Sequence, residues 1–184
     1  MNVTQFFRLS LGQWRSQRSG HDLMLGGFED LRSTITIRAL PANDRQVIEL
    51  CRWYDVSVDL VFHPLEITAT GDTKNREADE HYLLVPLPDP DNPNRGKMLR
   101  SRPEEGAIRN CIYRLQDDDT MTMVTEYDRA TTEERIWFAS PNLRLRVATV
   151  RTEDSGAIAT TFSSEVRERS ATLEQRHRVS TAVL

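Results

Sequence analysis

Residues 137–146 read W-F-A-S-P-N-L-R-L-R: an apolar stretch, a Ser-Pro-Asn turn, and a second stretch with two arginines two residues apart. Successive side chains of a β-strand point to opposite faces, so Arg144 and Arg146 share one face and Leu143 and Leu145 the other. Two adjacent guanidinium groups can bind carboxylates, because each can hold both oxygens of one acid group. The spacing alone fits a solvated strand face better than a binding site, so it predicts a hairpin and leaves the role of the arginines to other evidence.

Alternation of apolar and polar residues recurs along most of the chain. It is clearest in residues 31–40, where Ile35 and Ile37 alternate with threonine and arginine, as expected of a half-buried strand. Further strands are expected at 12–21, 56–62, 65–69, 81–87, 97–102, 107–116, 120–127, 135–139, 143–150 and 157–167. Their short turns predict an all-β, antiparallel up-and-down barrel of about ten strands, because closure removes exposed edges. A barrel of this size can hold one small ligand.

Two helices are expected beside the strands. Residues 4–11 place Phe6, Phe7 and Leu9 after a possible Thr4 cap, which predicts a short N-terminal helix that plugs or flanks the barrel. A second, internal helix is expected after Asp44, because apolar residues follow at helical spacing: Val47, Leu50, Cys51 and Tyr54. Cys51 is therefore expected to pack in a core.

The first predicted strand opens with Gly12-Gln13-Trp14, a G-x-W triplet that resembles the opening of lipocalin-type barrels. Its physical use is closure of one barrel end, because Trp14 can seal the end while an arginine of the last strand stacks on its ring. Arg167 is the candidate for that arginine.

Length and composition limit the function classes. The 184 residues fit one barrel domain, 1–167, and a polar tail, 168–184, that is expected to be flexible. A net charge of −4 argues against a general nucleic-acid binder. No signal peptide and no apolar run of the roughly 20 residues needed to cross a bilayer is recognisable. Two cysteines without metal-type spacing indicate a reducing compartment and predict neither a disulfide framework nor a metal site.

Several strand faces carry polar and charged residues. Arg144 and Arg146 share a face, and so do Ser163, Glu165 and Arg167. Charges cannot all enter a dry core without partners. Either the barrel encloses a polar cavity that binds something charged, or these faces are solvated and the opposite ones pack.

Six stretches together resemble the S/U-type phycobiliprotein lyases of cyanobacteria and related plastids. They cover almost all of residues 6–167 in order, and the block from Glu134 to Arg146 is the most specific. The stretches are GQWRSQR (12–18) with His21, VIELC (47–51), VPLPD (85–89), TEY (125–127), EERIWFASPNLRLR (133–146) and FSSEVR (162–167).

The resemblance implies a lipocalin-like barrel that takes up a linear tetrapyrrole, phycocyanobilin or phycoerythrobilin, and attaches it to a cysteine of a phycobiliprotein α or β subunit. The bond is a thioether, formed when the acceptor thiol adds to the ethylidene group of ring A. The bilin is the substrate, and no further cofactor and no cysteine of the enzyme are implied. The implied location is the cyanobacterial cytosol or the plastid stroma, and the protein works as a homodimer or with a related lyase subunit, or alone.

Site residues are assigned from the resemblance and from what a bilin offers chemically. Arg18, Arg144 and Arg146 are the candidates for its two propionates. Glu134 or Glu165 would stabilise the protonated pyrrole nitrogens and make ring A more electrophilic, and His21 would shuttle the proton. Trp137 and Ser163 complete the expected ligand contacts. Each residue also has a plain structural reading, as a strand histidine, a surface charge or a core tryptophan.

One departure from the family pattern favours an alternative. Many members carry two tryptophans in a W-x-G-T-M-x-W-like stretch, where this chain has His63-Pro64-Leu65-Glu66-Ile67-Thr68-Ala69-Thr70. The alternative is a bilin chaperone, or a partner subunit of a heterodimeric lyase, that binds without efficient transfer. A carrier of another acidic hydrophobe, such as a fatty acid, is a third reading. Pro64 also predicts an edge or bulge.

Overall fold

A computed structural model describes residues 1–71, 79–101, 108, 110–154 and 156–168. Within these ranges the chain forms two α-helices, α1 (Val3–Ser10) and α2 (Arg45–Trp53), a short 3-10 turn at Val58–Leu60, and ten strands. The strands are β1 (Gly12–Asp22), β2 (Phe28–Ala39), β3 (Leu65–Gly71), β4 (Glu80–Pro88), β5 (Arg95–Arg100), β6 (Asn110–Leu115), β7 (Met121–Glu126), β8 (Ala130–Ser140), β9 (Leu143–Thr152) and β10 (Gly156–Arg167).

The ten strands form a closed antiparallel barrel. Each strand pairs with its sequence neighbours, and β1 closes the ring by pairing with β10, from Trp14 opposite Arg167 to Asp22 opposite Ala159. Closure leaves no free sheet edge, as the alternating pattern predicted. The barrel with an N-terminal and an internal helix is confirmed.

Helix α1 closes one end of the barrel. Phe6 and Phe7 are buried against the interior, and Phe6 meets Phe138 at 5.2 Å between ring centroids. Asn2, and not the expected Thr4, caps the helix. Its side chain accepts a hydrogen bond from the Gln5 backbone nitrogen, and the Gln5 side chain accepts one from the Asn2 backbone nitrogen. This is a capping box.

Trp14 is fully buried at the closed end of the barrel. Its indole nitrogen donates to the Ser10 carbonyl at 2.9 Å, and the Arg167 guanidinium lies 4.1 Å from the ring centroid. Arg167 also donates to the carbonyls of Leu9 and Leu11, so it joins the last strand to the end of α1. The stacking of Arg167 on Trp14 is confirmed, and the opposite end of the barrel is left as the mouth.

Helix α2 packs on the outer wall of the barrel. Asp44 caps it as expected, and Val47, Leu50 and Cys51 are buried against β4 and β5. The tyrosine after the helix, Tyr54, donates from its hydroxyl to the Arg100 carbonyl at 3.0 Å. The apolar residues of α2 therefore form a second core outside the barrel.

Two local expectations are wrong. Residues 56–62 are not a strand, because Val56 and Val61 pack onto the α2 core and a 3-10 turn lies between them. Pro64 makes neither an edge nor a bulge, because it precedes β3, and its carbonyl accepts from the Leu40 backbone at 2.9 Å. The expected tail lies, from residue 169 onward, outside the described residues.

Within the described ranges, no helix is long and apolar enough to cross a membrane.

Candidate functional site

A cavity of about 480 Å³ occupies the barrel interior between the mouth and the closed end. Inward-facing positions of eight strands line it, which explains its mixed chemistry: alternation brings serine, arginine and glutamate to the same face as isoleucine and alanine. The lining residues that carry the argument are Arg18, Tyr82, Arg100, Glu134, Arg146 and Glu165.

A chain of alternating charges crosses this interior. An Arg100 nitrogen lies 3.2 Å from Glu134, and Arg146 lies 3.6 Å from Glu134 and 3.4 Å from Glu165. The far oxygen of Glu165 accepts a hydrogen bond from Arg144. Strand register produces this order, since Arg146 stands opposite Ser163 and Arg144 opposite Glu165 on the paired strands β9 and β10. Buried charges of this kind need such partners.

In this row of buried charges, the arginines outnumber the carboxylates. Among the described residues, Arg100, Arg144 and Arg146 form ion pairs with two carboxylates, Glu134 and Glu165. Three buried guanidinium nitrogens, Nε of Arg100, Nη2 of Arg144 and Nε of Arg146, have no hydrogen-bond partner among those residues. A buried donor without a partner is costly. Arg100 and Arg146 line the cavity, so an acidic or carbonyl-bearing ligand can bind the part of each guanidinium group that faces it.

Burial and charge act against each other at these arginines. Burial disfavours the charged form of Arg146, but the charges of Glu165, Tyr82 and Glu134 outweigh it and hold the pKa of Arg146 above its usual value. At Arg100 burial is likewise the largest single influence and lowers the pKa, but Glu134 and the weaker interactions with Tyr82, Tyr127 and Cys111 together raise it above its usual value. At Arg144 burial dominates over Glu165, and its pKa is lowered. The cavity arginines therefore stay cationic.

Arg18 differs from the other cavity arginines. It lines the cavity from β1, half-buried and on the mouth side of Ser16. In the part of the chain that the structure describes, Arg18 makes no hydrogen bond and no ion pair. It is therefore the guanidinium that can meet an incoming carboxylate without first releasing a partner.

The predicted residues do not all meet in the cavity. Arg18, Glu134, Arg146, Ser163 and Glu165 line it together. Arg144 is on the same face as predicted but lies at the closed end, where it is fully buried below the cavity and stacks 5.0 Å from the Trp14 centroid. Arg144 stands opposite Glu165 on β10 and donates to its carboxylate, so it holds Glu165 in position.

His21 and Trp137 are away from the cavity. On β1, Arg18 and Gly20 point inward, so the alternating His21 is exposed on the outer face, 5.2 Å from the Phe28 ring. On β8, Glu134 and Ile136 are the buried positions, so Trp137 points outward. Both lie outside for the same reason: each residue has the opposite parity to the inward positions of its strand.

Sequence reasoning missed two aromatic residues and one arginine. Tyr82 and Tyr127 line the cavity, and Arg100 lies over the Tyr82 ring at 4.7 Å. Strand parity does not single them out, because both faces of β4 and β5 are buried: Leu83 and Leu99 pack on the α2 core, and Tyr82 and Met98 face the barrel interior. These tyrosines supply aromatic surface that β3 lacks.

The cysteines are poor nucleophiles. Burial raises the pKa of the Cys111 thiol, and likewise that of Cys51. The Cys111 sulfur lies 3.3 Å from the Thr125 hydroxyl. A protonated, buried thiol reacts slowly. Among the described residues, no group of three or more His, Cys, Asp or Glu side chains is placed to hold a metal ion.

Comparison with known proteins relates this chain to one group. Residues 2–168 match the CpeS-like protein family. A chromophore lyase, CpcS/CpeS 3, from Trichodesmium erythraeum (strain IMS101) is 40% identical over 172 residues, which cover 91% of this chain and 99% of that protein. A putative phycoerythrobilin lyase, CpeS, from Microchaete diplosiphon is 44% identical over 155 residues, 83% of this chain and 70% of that protein.

The fold has a counterpart among solved structures. The S-type phycobiliprotein lyase CPES from Guillardia theta superposes with a TM-score of 0.81 at 33% sequence identity. The match covers 92% of this chain and 94% of that one.

Proposed function

This chain belongs to the CpeS-like family of chromophore lyases, and we propose that its barrel cavity binds a linear tetrapyrrole whose attachment it catalyses. The protein is an enzyme that joins phycocyanobilin or phycoerythrobilin to a phycobiliprotein cysteine. The observation that carries the proposal is the Arg100–Glu134–Arg146–Glu165 chain on the wall of a cavity of about 480 Å³. That volume lies within the roughly 300–1,000 Å³ of small-molecule sites.

The arginines bind the propionates in this proposal. Arg18 takes one propionate at no cost in lost ion pairs, and Arg146 takes the other through the 20% of its side chain that is accessible. Ser163 stands opposite Arg146 on β10 and adds a hydroxyl at the same level. Bidentate pairs of this kind fix both position and orientation, which a transfer reaction needs.

The carboxylates act on the pyrrole nitrogens. Glu134 and Glu165 lie on the cavity wall and are almost fully buried, so a cationic tetrapyrrole gains a strong interaction with them. Protonated pyrrole nitrogens withdraw electrons from ring A and make its ethylidene group a better acceptor for the thiol. These two residues are the candidate catalytic groups, and His21, exposed on the outer face of β1, is not among them.

The reaction balances without an oxidant or a leaving group. The sulfur of the acceptor bonds to the exocyclic carbon of ring A, the ethylidene double bond becomes single, and the thiol proton ends on the ring carbon. Because α1 and Trp14 close one end of the barrel, a cysteine on another folded protein meets the bilin at the mouth. Ring A therefore faces the mouth.

Two alternative functions would need different residues of the cavity. A carrier of fatty acids would need the arginines but has no use for two buried carboxylates at the ligand. A bilin chaperone or partner subunit keeps the cavity without efficient transfer, and the absence of aromatic residues from β3 is its support. Tyr82 and Tyr127 weigh against it, because they offer stacking surface inside the cavity. Homodimer, heterodimer and compartment stay predictions.

Filling the cavity tests where the bilin binds. Ala148 faces the cavity opposite Glu134, so Ala148→Trp is expected to weaken bilin binding at least tenfold, which corresponds to about 1.4 kcal/mol. The neighbouring Val147→Trp points outward and is the matched control, expected to bind as the wild type does. Titration of bilin absorbance measures both, with circular dichroism as the check on folding. Unchanged binding by folded Ala148→Trp would place the bilin outside the cavity.

A further inference from the structure

The turn between β1 and β2 presents an unusual apolar surface at the mouth. Leu23, Met24 and Leu25 are consecutive and 52%, 61% and 87% exposed, and Phe28 beside them is 65% exposed. Contiguous exposed apolar residues are uncommon on proteins that work alone and mark interaction sites. We call these four residues the rim patch.

The backbone of this turn is fixed, so the exposure is built in. The Asp22 carboxylate accepts hydrogen bonds from the backbone nitrogens of Met24 and Leu25, both at 2.8 Å. The Leu23 nitrogen donates to the Ile158 carbonyl at 2.8 Å, which ties the turn to β10. Gly26 adopts a φ of 69°, in the left-handed region that glycine tolerates. The turn therefore holds its apolar side chains in solvent.

The surroundings of the rim patch are acidic. The adjoining strand ends and the neighbouring β9–β10 turn carry five carboxylates, Asp22, Glu29, Asp30, Glu153 and Asp154, beside the basic residues His21, Arg32 and Arg151. A partner that fits this surface has an apolar patch bordered by lysine or arginine. An anionic membrane surface would be repelled.

We infer that the rim patch is the docking surface for the phycobiliprotein subunit that accepts the bilin. The inference rests on the proposed function, because a thiol that attacks ring A must be brought to the mouth, and the rim patch lies there. Docking at the rim orients the acceptor cysteine over the opening and covers the mouth, which limits the access of water to ring A.

The test separates docking from bilin binding. The triple variant Leu23→Ser/Met24→Ser/Leu25→Ser leaves every cavity residue in place, and Trp53→Ser/Leu60→Ser removes a comparable exposed apolar surface from the outer wall, at 84% and 61% exposure. Three readouts are taken: bilin affinity by absorbance titration, affinity for purified apo-subunit by calorimetry without bilin, and transfer rate against apo-subunit concentration.

The triple variant is expected to keep its bilin affinity within twofold and to need at least tenfold more apo-subunit, both for binding and for half-maximal transfer. The control is expected to match the wild type. The inference would be overturned if the triple variant needed no more apo-subunit than the wild type, or if the control variant were the one with weakened apo-subunit binding. A triple variant that only dissociates a dimer, with acceptor dependence intact, would assign the rim patch to a second copy. Failure of the wild type to bind bilin would contradict the proposed function and not the docking, since the calorimetry contains no bilin.

Discussion

Replacing Glu165 with glutamine is expected to lower the free energy of unfolding by about 3–5 kcal/mol, the cost of removing one partner from a buried ion pair. Glu165 is 1% exposed and serves two arginines, accepting from Arg144 and lying 3.4 Å from Arg146. The neutral amide leaves Arg144 charged below the cavity with no counter-ion. Urea unfolding followed by circular dichroism measures the change.

A surface pair and a double variant make this result specific. Glu168→Gln breaks the exposed pair with Arg15 and is expected to change stability by less than about 1 kcal/mol. Arg144→Met/Glu165→Leu removes the buried pair as a whole and should recover much of the loss, because neither charge is then left alone. Glu165→Gln with wild-type stability would show that the charge chain does not hold the closed end together.

Replacing Arg146 with alanine is expected to weaken bilin binding about tenfold to a hundredfold, since a hydrogen bond to a charged group contributes about 1.5–3 kcal/mol. Arg146 lines the cavity between Glu134 and Glu165 and has a buried nitrogen without a partner. Absorbance titration at limiting bilin gives the affinity, and the transfer rate follows it.

Two further variants separate charge from geometry. Arg146→Lys keeps the cation but lacks the planar fork, so it should recover only part of the affinity. Arg135→Ala removes an exposed arginine from the outer face of β8 and should have no effect. Full activity of Arg146→Ala at limiting bilin would remove Arg146 from the site.

Much of the barrel follows from local pattern. Strict alternation in residues 31–40 placed Ile35 and Ile37 inside, and the G-x-W triplet placed Trp14 at the closed end under Arg167. Residues 56–62 show where local pattern fails, because apolar residues at period two also suit an irregular segment packed under a helix. Tertiary contacts with α2 decide there, and the sequence of the segment does not contain them.

The site could be predicted only in part, because the residues that line it depend on which alternate positions of each strand point into the barrel. The inward position of Glu134 is readable from Ile136, which is buried on the same face of β8. On β10 the apolar pattern misleads, because Phe162 and Val166 are exposed while Ser163 and Glu165 face the cavity. Arg146, Ser163 and Glu165 were therefore suggested by the family resemblance and not by the apolar pattern.

The family resemblance suggested His21 and Trp137. Each lies one residue away from an inward position of its strand, so its side chain points out of the barrel. The Arg100–Glu134 contact joins residues 34 apart in sequence, and no local pattern predicts a pairing across the barrel.

The most direct test of the account is covalent transfer by the wild type and by Glu134→Gln, measured side by side. Each purified protein is mixed with phycocyanobilin or phycoerythrobilin and an apo-phycobiliprotein subunit, and the product is followed by visible fluorescence and zinc-stained denaturing gels. The wild type is predicted to give a narrow, native-like spectrum with bilin covalently on the acceptor. Glu134→Gln is predicted to bind bilin yet transfer it at least tenfold more slowly. Equal transfer rates would contradict the role of the buried carboxylate, and binding without transfer by the wild type would favour a chaperone or partner subunit.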